Sequence, residues 1–451
     1  MLPCCLIIVG STAFLFFPGL APIWLVLVIA AAFLFGNVLM TRQQVGPPRL
    51  VERGLIDLLL VLGPLGALVL TRTPAALAVP IWIVSSFLFV WAGRARKAGA
   101  EWLAPVVAIV WFAFVSVVIL RVTGVPHIDV YQYLNDGVRA QLHGENPFAI
   151  TMTNVYSAAE NAENYGPGFL VDGRVPFGFP YPPVLLILAV PGYLLGDARY
   201  TSVLLASLTA LAVLGRGRDP RRRLASVMLL AAPGTWWVIS QAWTEVGVVA
   251  LFGAAAFAVA RGKLVLAAAL VGALLVSKQY FIVALPALWT LRPYATRARV
   301  VVMTATATIL TVPWFLASPQ AFIHSVVEFQ TSTPMRFDSL GLLVEVVKSV
   351  GGADSGAFRA LPIVVGLGVA TAAAVRAPQR AGGFAAATCL SVLVAMLMAK
   401  QVFFNYYYFI ACGLLITAAV WDRPPGAAEI GTNENGHSAP ATTKVSPSLL
   451  P

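Results

Sequence analysis

Apolar runs about as long as a bilayer is thick recur along this chain, and they constrain its fold more than any other feature. PIWLVLVIAAAFLFGNVLM (22–40) and LAPVVAIVWFAFVSVVIL (103–120) are two of them. A hydrocarbon core of ~30 Å is crossed by about 20 apolar residues in helical form. A helix also pairs its own backbone N–H and C=O groups, which lipid cannot do for it. Composition agrees: 59% of the residues are hydrophobic and 11% are charged, against ~25% charged in soluble domains. The expected fold is an all-α polytopic membrane protein. Candidate spans fall near 4–20, 22–40, 55–71, 76–93, 102–121, 182–196, 200–215, 224–240, 243–260, 263–277, 279–291, 299–317, 358–376, 381–399 and 402–421. Several are short, and about 13 crossings are expected at the length a bilayer requires.

The net charge of +11 raises the question of nucleic acid. The positions argue against it. Arg94, Arg96 and Lys97, then Arg216, Arg218 and Arg221 to Arg223, then Arg292, Arg297 and Arg299, then Arg376 and Arg380 all sit in short loops between apolar runs. That is the positive-inside pattern of cytoplasmic loops. The cysteines Cys4, Cys5, Cys389 and Cys412 lie in apolar runs without metal spacing or a disulfide framework. MLPCCLIIVGS opens the chain without a basic n-region, so no cleaved signal peptide is expected.

Counting crossings from each end places both 122–181 and 318–357 outside only if one segment between 182 and 215 fails to cross. YPPVLLILAVPGYLLG, short and interrupted by Pro191, is the candidate partial or re-entrant helix. The chain then divides into N-terminal helices (1–121), an external loop (122–181), a membrane core (182–317), a second external loop (318–357), C-terminal helices (358–421) and a tail (422–451). Rich in Pro, Ala, Thr, Asn and Gly, the tail is expected to be disordered and cytoplasmic.

Within the first loop, HIDVYQYLNDGVRAQLHGENPFA (127–149) is polar and free of Pro from Asp129 to Gln141. At helical spacing Asp129, Tyr133, Asp136 and Ala140 share a face. Asp129 follows the end of a span by a few residues, at lipid head-group level. Its plainer role is an N-cap that satisfies free backbone N–H groups. Asp129 and Asp136 could share a divalent ion, but no metal motif compels one. His127 could orient an acceptor or share a proton, although a lone interfacial His is more often a satisfied surface residue. Glu245, Lys278 and Lys400 each lie at the external end of a span. Ionisable groups near membrane depth usually face a cavity or a partner, with snorkelling as the alternative for the lysines. In the second loop TPMRFDSLG offers Arg336 and Asp338, for which a surface salt bridge is the plain reading.

On these residues the chain resembles the GT-C superfamily of polytopic glycosyltransferases, near the polyprenyl-phosphate-dependent mannosyltransferases of glycosyltransferase family 87. The resemblance runs through HIDVYQY, LHGENPF, FPYPPVLLIL, SKQYF with Pro286, TPMRFDSL and KQVFFNYYYF, in that order, over most of 120–415. About five spans precede the carboxylate, where the family commonly has one. The resemblance implies a GT-C-like bundle with a helical external first catalytic loop. It implies a hexosyltransferase that moves a sugar, mannose first and a pentose such as arabinose next, from a polyprenyl-phosphate donor to a glycolipid or glycan acceptor on the external face. Asp129 would be the general base of an inverting transfer, and Lys278 and Arg336 would meet the leaving phosphate. His127, Tyr133, Asp136, Asn146, Tyr181, Glu245, Gln279 and Asp338 complete the candidate substrate-binding set. Tyr131 and Trp243 could stack on sugar faces, although interfacial anchoring is the commoner role of such aromatics. Tyr406 to Tyr408 read as packing. No P-loop or GxGxxG favours a nucleotide-sugar donor. A polytopic transporter or lipid-linked sugar flippase, and a scaffold that binds a partner through its loops, are the competing classes. Transporters commonly show internal repeats and midplane charges; this chain shows neither.

Overall fold

The computed structural model describes residues 50–421 apart from 233, 353 and 354. The expected spans near 4–20 and 22–40, Cys4, Cys5 and the tail 422–451 lie outside the described residues. The protein is all-α. Among the described residues the nearest approach to a sheet is a pair of isolated antiparallel bridges, Met152 to Val175 and Val171 to Arg174.

The elements run α1 (Leu50–Leu70), α2 (Ala75–Arg94), α3 (Ala100–Thr123), α4 (Asp129–Leu142), α5 (Ala158–Tyr165), α6 (Val184–Leu194), α7 (Arg199–Leu214), α8 (Pro220–Ala231), α9 (Thr235–Ser240), α10 (Glu245–Ala260) and α11 (Leu264–Leu275). A 3-10 helix (Gln279–Tyr294) leads to α12 (Arg297–Ala317) and α13 (Pro319–Ile323). A π-turn (His324–Glu328), α14 (Phe329–Ser332), α15 (Leu342–Ser349), α16 (Gly356–Arg376), α17 (Ala381–Leu397) and α18 (Phe404–Val420) complete the order. Among the described residues five stretches are long and apolar enough to cross a membrane: Arg53–Leu70 of α1, α2, α3, α12 and Phe358–Arg376 of α16. The helices α10, α11, α17 and α18 are equally apolar but shorter.

The core lies where α10, α17 and α18 meet, with α7 and α11 packed against α10. Their sequences explain this. AGGFAAATCLSVLVAML in α17 is small or apolar on every side, and all but one of its residues are buried. A helix hydrophobic all round belongs inside. Cys389 and Cys412 sit buried in that core. At the other extreme α12 buries none of its residues.

Two segments differ in detail from the sequence expectation. The run 224–240 is two helices, α8 and α9, and not one span. Their junction brings Gly234 against the Phe404 ring so closely that a Cβ would collide with it. The run 279–291 is wound as a 3-10 helix that extends to Tyr294 and includes Pro286 and Pro293; each proline removes a backbone donor. The helices α6 and α7 meet at 107°, the geometry of a broken span or a re-entrant loop.

Candidate active site

The site is built at the end of α3. Gly124, at a φ of 69°, ends that span, a left-handed conformation that costs glycine little. The chain then turns into α4, whose first helical residue is Asp129. The N-cap is Ile128 and makes no side-chain cap bond. Asp129 is therefore not the N-cap; its Oδ1 accepts one N–H, that of Val130, at 2.7 Å. The other oxygen, Oδ2, accepts the hydroxyl of Tyr165. Tyr165 in turn lies 3.2 Å from the Tyr133 hydroxyl, and the Tyr156 hydroxyl accepts the Asp129 N–H at 3.3 Å. Asp129 is thus bonded by two tyrosines of the first loop, Tyr156 and Tyr165, and Tyr133 braces the second of them.

The side chain is partly buried. Desolvation pushes its carboxyl above the ordinary aspartate value. The Tyr165 and Val130 bonds and the charge of Arg336 act in the opposite direction without cancelling it. Burial and the nearby Asp129 charge also hold the Tyr165 hydroxyl well above its ordinary value, so it stays protonated and donates.

Arg336 reaches this group from the second loop. Its backbone N–H donates to Lys400 O at 3.1 Å, and Leu340 N–H donates to Val402 O at 2.7 Å. Gln401 Nε2 donates to Pro334 O at 2.8 Å, and Lys400 Nζ donates to Thr331 O at 3.1 Å. The loop is thereby laced to the segment before α18. The guanidinium makes a two-point contact with Asp338, at 2.7 and 2.5 Å, over the Phe403 ring. With Asp338 half exposed and Arg336 18% exposed, the pair is a salt bridge at the rim, close enough for its cation to act on Asp129.

Deeper in, Lys278 and Glu245 form a buried ion pair at 3.3 Å. The Lys278 ammonium also stands 3.5 Å above the centroid of the Tyr181 ring. Tyr181 and Tyr406 lie between the two acids, within electrostatic reach of both Asp129 and Glu245.

The remaining candidates have other partners. Asp136 is buried, its Oδ1 accepting from Gln132 at 3.0 Å and Arg139 at 2.8 Å and its Oδ2 from Thr153 N–H at 2.8 Å. Both oxygens are occupied by protein donors, so the donor set does not fit an ion shared with Asp129. Among the described residues no group of three or more His, Cys, Asp or Glu is placed to hold a metal. Asn146 forms a local turn with Phe148 N–H at 3.0 Å. Gln279 donates to Pro180 O at 2.7 Å and Val326 O at 2.9 Å, joining the two loops. His127 is exposed, 3.2 Å from Glu160, with its ring edge-on to Tyr156. The sequence reading missed Tyr156 and Tyr165, which lie in a loop far from Asp129 along the chain. Tyr406, read from the sequence as packing, packs against the core.

Comparison with protein families and with curated proteins gives no match. Among solved structures the chain is similar to the crystal structure of ArnT from Cupriavidus metallidurans bound to undecaprenyl phosphate, at 17% identity and a TM-score of 0.46. The likeness covers 71% of this chain and 60% of that one.

Proposed function

We propose that this protein is an integral membrane glycosyltransferase that uses a polyprenyl-phosphate sugar on the external face of the membrane. The observation that carries the reading is a partly buried carboxylate, Asp129, at the mouth of a span, with the Arg336 cation within electrostatic reach. A base and a cation are what this transfer needs. The acceptor hydroxyl oxygen attacks the anomeric carbon, and its proton passes to Asp129. The bond from the anomeric carbon to the phosphate oxygen breaks, and its electron pair leaves with the lipid phosphate. One displacement inverts the anomeric centre and yields a glycoside and polyprenyl phosphate. Desolvation makes Asp129 a stronger base than a free aspartate. Arg336 can meet the developing phosphate charge; Asp338 holds it in position and competes for it until the donor arrives. Lys278, expected from the sequence to meet the phosphate, is paired with Glu245 and Arg336 with Asp338; Arg336 is proposed first for the phosphate because it is the cation within electrostatic reach of Asp129.

Mannose is the sugar proposed first, on the sequence resemblance, and a glycolipid or glycan is the proposed acceptor. Lipid extracts from cells with and without the gene test the reading: a missing glycan with its precursor accumulating identifies both. Asp129→Asn should lower transfer ~10²–10⁴-fold, the usual contribution of a general base, while expression stays normal. Undiminished transfer by that variant removes Asp129 from the chemistry.

A further inference from the structure

Beside the proposed reaction centre lies a group of polar atoms that the protein itself does not satisfy. Glu245 is fully buried, and Lys278 approaches it at an angle that leaves both carboxylate oxygens without a hydrogen-bond donor. The Thr244 hydroxyl, the Tyr280 hydroxyl and Asn405 Oδ1 are likewise buried and unpartnered. These residues come from three places, the start of α10, the start of the 3-10 helix and the start of α18. The Lys278–Glu245 pair brings the first two together, and Glu245 lies within electrostatic reach of Tyr280 and Tyr406. Tyr406 packs edge-on to Tyr280 at 5.8 Å. An unfilled buried acceptor costs ~1–3 kcal/mol, more when charged, and is rare in native proteins unless something fills it. Here the two Glu245 oxygens and the Tyr280 hydroxyl lie within electrostatic reach of one another.

The two Glu245 oxygens only accept, so the missing partner donates. The Glu245 and Lys278 charges cancel, so the partner is neutral: an anion would meet unshielded Glu245, and a cation Lys278. Tyrosine rings form part of the wall. Resting on the glycosyltransferase reading above, we propose that Glu245 and Tyr280 form part of the subsite that selects the donor's sugar, and that it takes an uncharged sugar whose hydroxyls donate to Glu245. In this assignment Lys278 is a positioning residue that fixes the carboxylate, and Asp129 and Arg336 act on the reacting end.

The test uses the full chain in lipid nanodiscs, titrated with polyprenyl phosphate alone and with the same lipid phosphate carrying mannose, arabinose or glucuronate. At least one neutral sugar should bind roughly tenfold more tightly than the bare lipid, the worth of one to two good hydrogen bonds. Glucuronate should give no gain. Glu245→Gln alone would strand a buried ammonium, so Glu245→Gln/Lys278→Gln is made together. That variant should lose the tenfold advantage of the sugar-bearing lipid over the bare lipid, both measured on the same variant. Tyr280→Phe removes only an unpartnered hydroxyl and should reduce the advantage about threefold, less than a full hydrogen bond. The subsite is overturned if no neutral sugar improves on the bare lipid, if glucuronate improves equally, or if folded protein of both variants keeps the full advantage. Failure of the wild type to bind the bare lipid phosphate is a separate result; it overturns the glycosyltransferase reading itself.

Discussion

Asp129 has an environment that both strengthens and restrains it. Removal from water favours the neutral acid, while the Tyr165 hydroxyl and the Val130 N–H favour the anion. Because desolvation prevails, the folded protein binds that proton more tightly than the unfolded chain. The sign follows: the stability linked to this group is full at low pH and is lost as pH rises through the raised pKa. Asp129→Asn should therefore be at least as stable as the wild type at neutral pH, which separates loss of chemistry from loss of fold. Transfer has the opposite pH dependence. It requires the anion, so the rate should fall as pH drops through a pKa above the ordinary 3.8. Tyr165→Phe removes a bond to the charged form. It should move the acid limb of the rate profile upward by about one pH unit, the equivalent of one hydrogen bond of ~1.4 kcal/mol. An acid limb that stays in place in Tyr165→Phe would show that the hydroxyl does not tune the base.

At the scale of elements, the two loops are held as one body by a few polar contacts. Asp136 ties α4 to the segment after it through Gln132, Arg139 and Thr153. Ser325 donates to Phe148 O at 3.0 Å and accepts from Gly178 N–H at 2.9 Å, and Gln279 joins Pro180 to Val326. A Cβ at Gly178 would run into the backbone of Pro147 and Phe148. These joints support α4, and α4 carries Asp129. Asp136→Ala should cost about 2–3 kcal/mol, because it unties a charge-assisted bond and leaves the half-buried Thr153 N–H without its acceptor. Thermal unfolding of the variant in detergent measures this, and an unchanged melting temperature would remove Asp136 from the framework. The apolar spans were legible in the sequence because length and hydropathy are local properties. The expected 299–317 is α12, Arg297–Ala317, and the expected 381–399 is α17, Ala381–Leu397. The break between α8 and α9 was signalled locally by Pro233–Gly234 and was passed over; what was not legible is the Phe404 ring packed on Gly234, remote in sequence. Tyr165 was hidden for the same reason: its hydroxyl meets Asp129 only after the loop has folded back, and no spacing rule covers that distance.

Taken as a whole molecule, the chain segregates its charges. The ion pair Glu245–Lys278, Asp129 and the Arg336–Asp338 bridge gather where α4, α10, the 3-10 helix and α18 begin. Of the basic clusters, Arg292 lies at the other end of the 3-10 helix, while Arg222 and Arg380 stack on Phe257 and Trp421, at the other ends of α10 and α18. Translocation retains Lys/Arg-rich short loops in the cytoplasm, so the proposed reading has the Asp129 group facing outward. The basic clusters were readable from the sequence as a pattern; which acid met which cation was not, because those pairs form between helices. The orientation has a direct test. Glu163 is exposed on α5 in the first loop, and Arg218 is exposed in the turn between α7 and α8. In intact cells a membrane-impermeant thiol reagent should label Glu163→Cys fully and Arg218→Cys only after permeabilisation. Cys389 and Cys412, buried in the core, should give little background. Labelling of Arg218→Cys before permeabilisation, with Glu163→Cys protected, would invert the bundle and put the Asp129 chemistry on the cytoplasmic side, where the acceptor and donor pools are different.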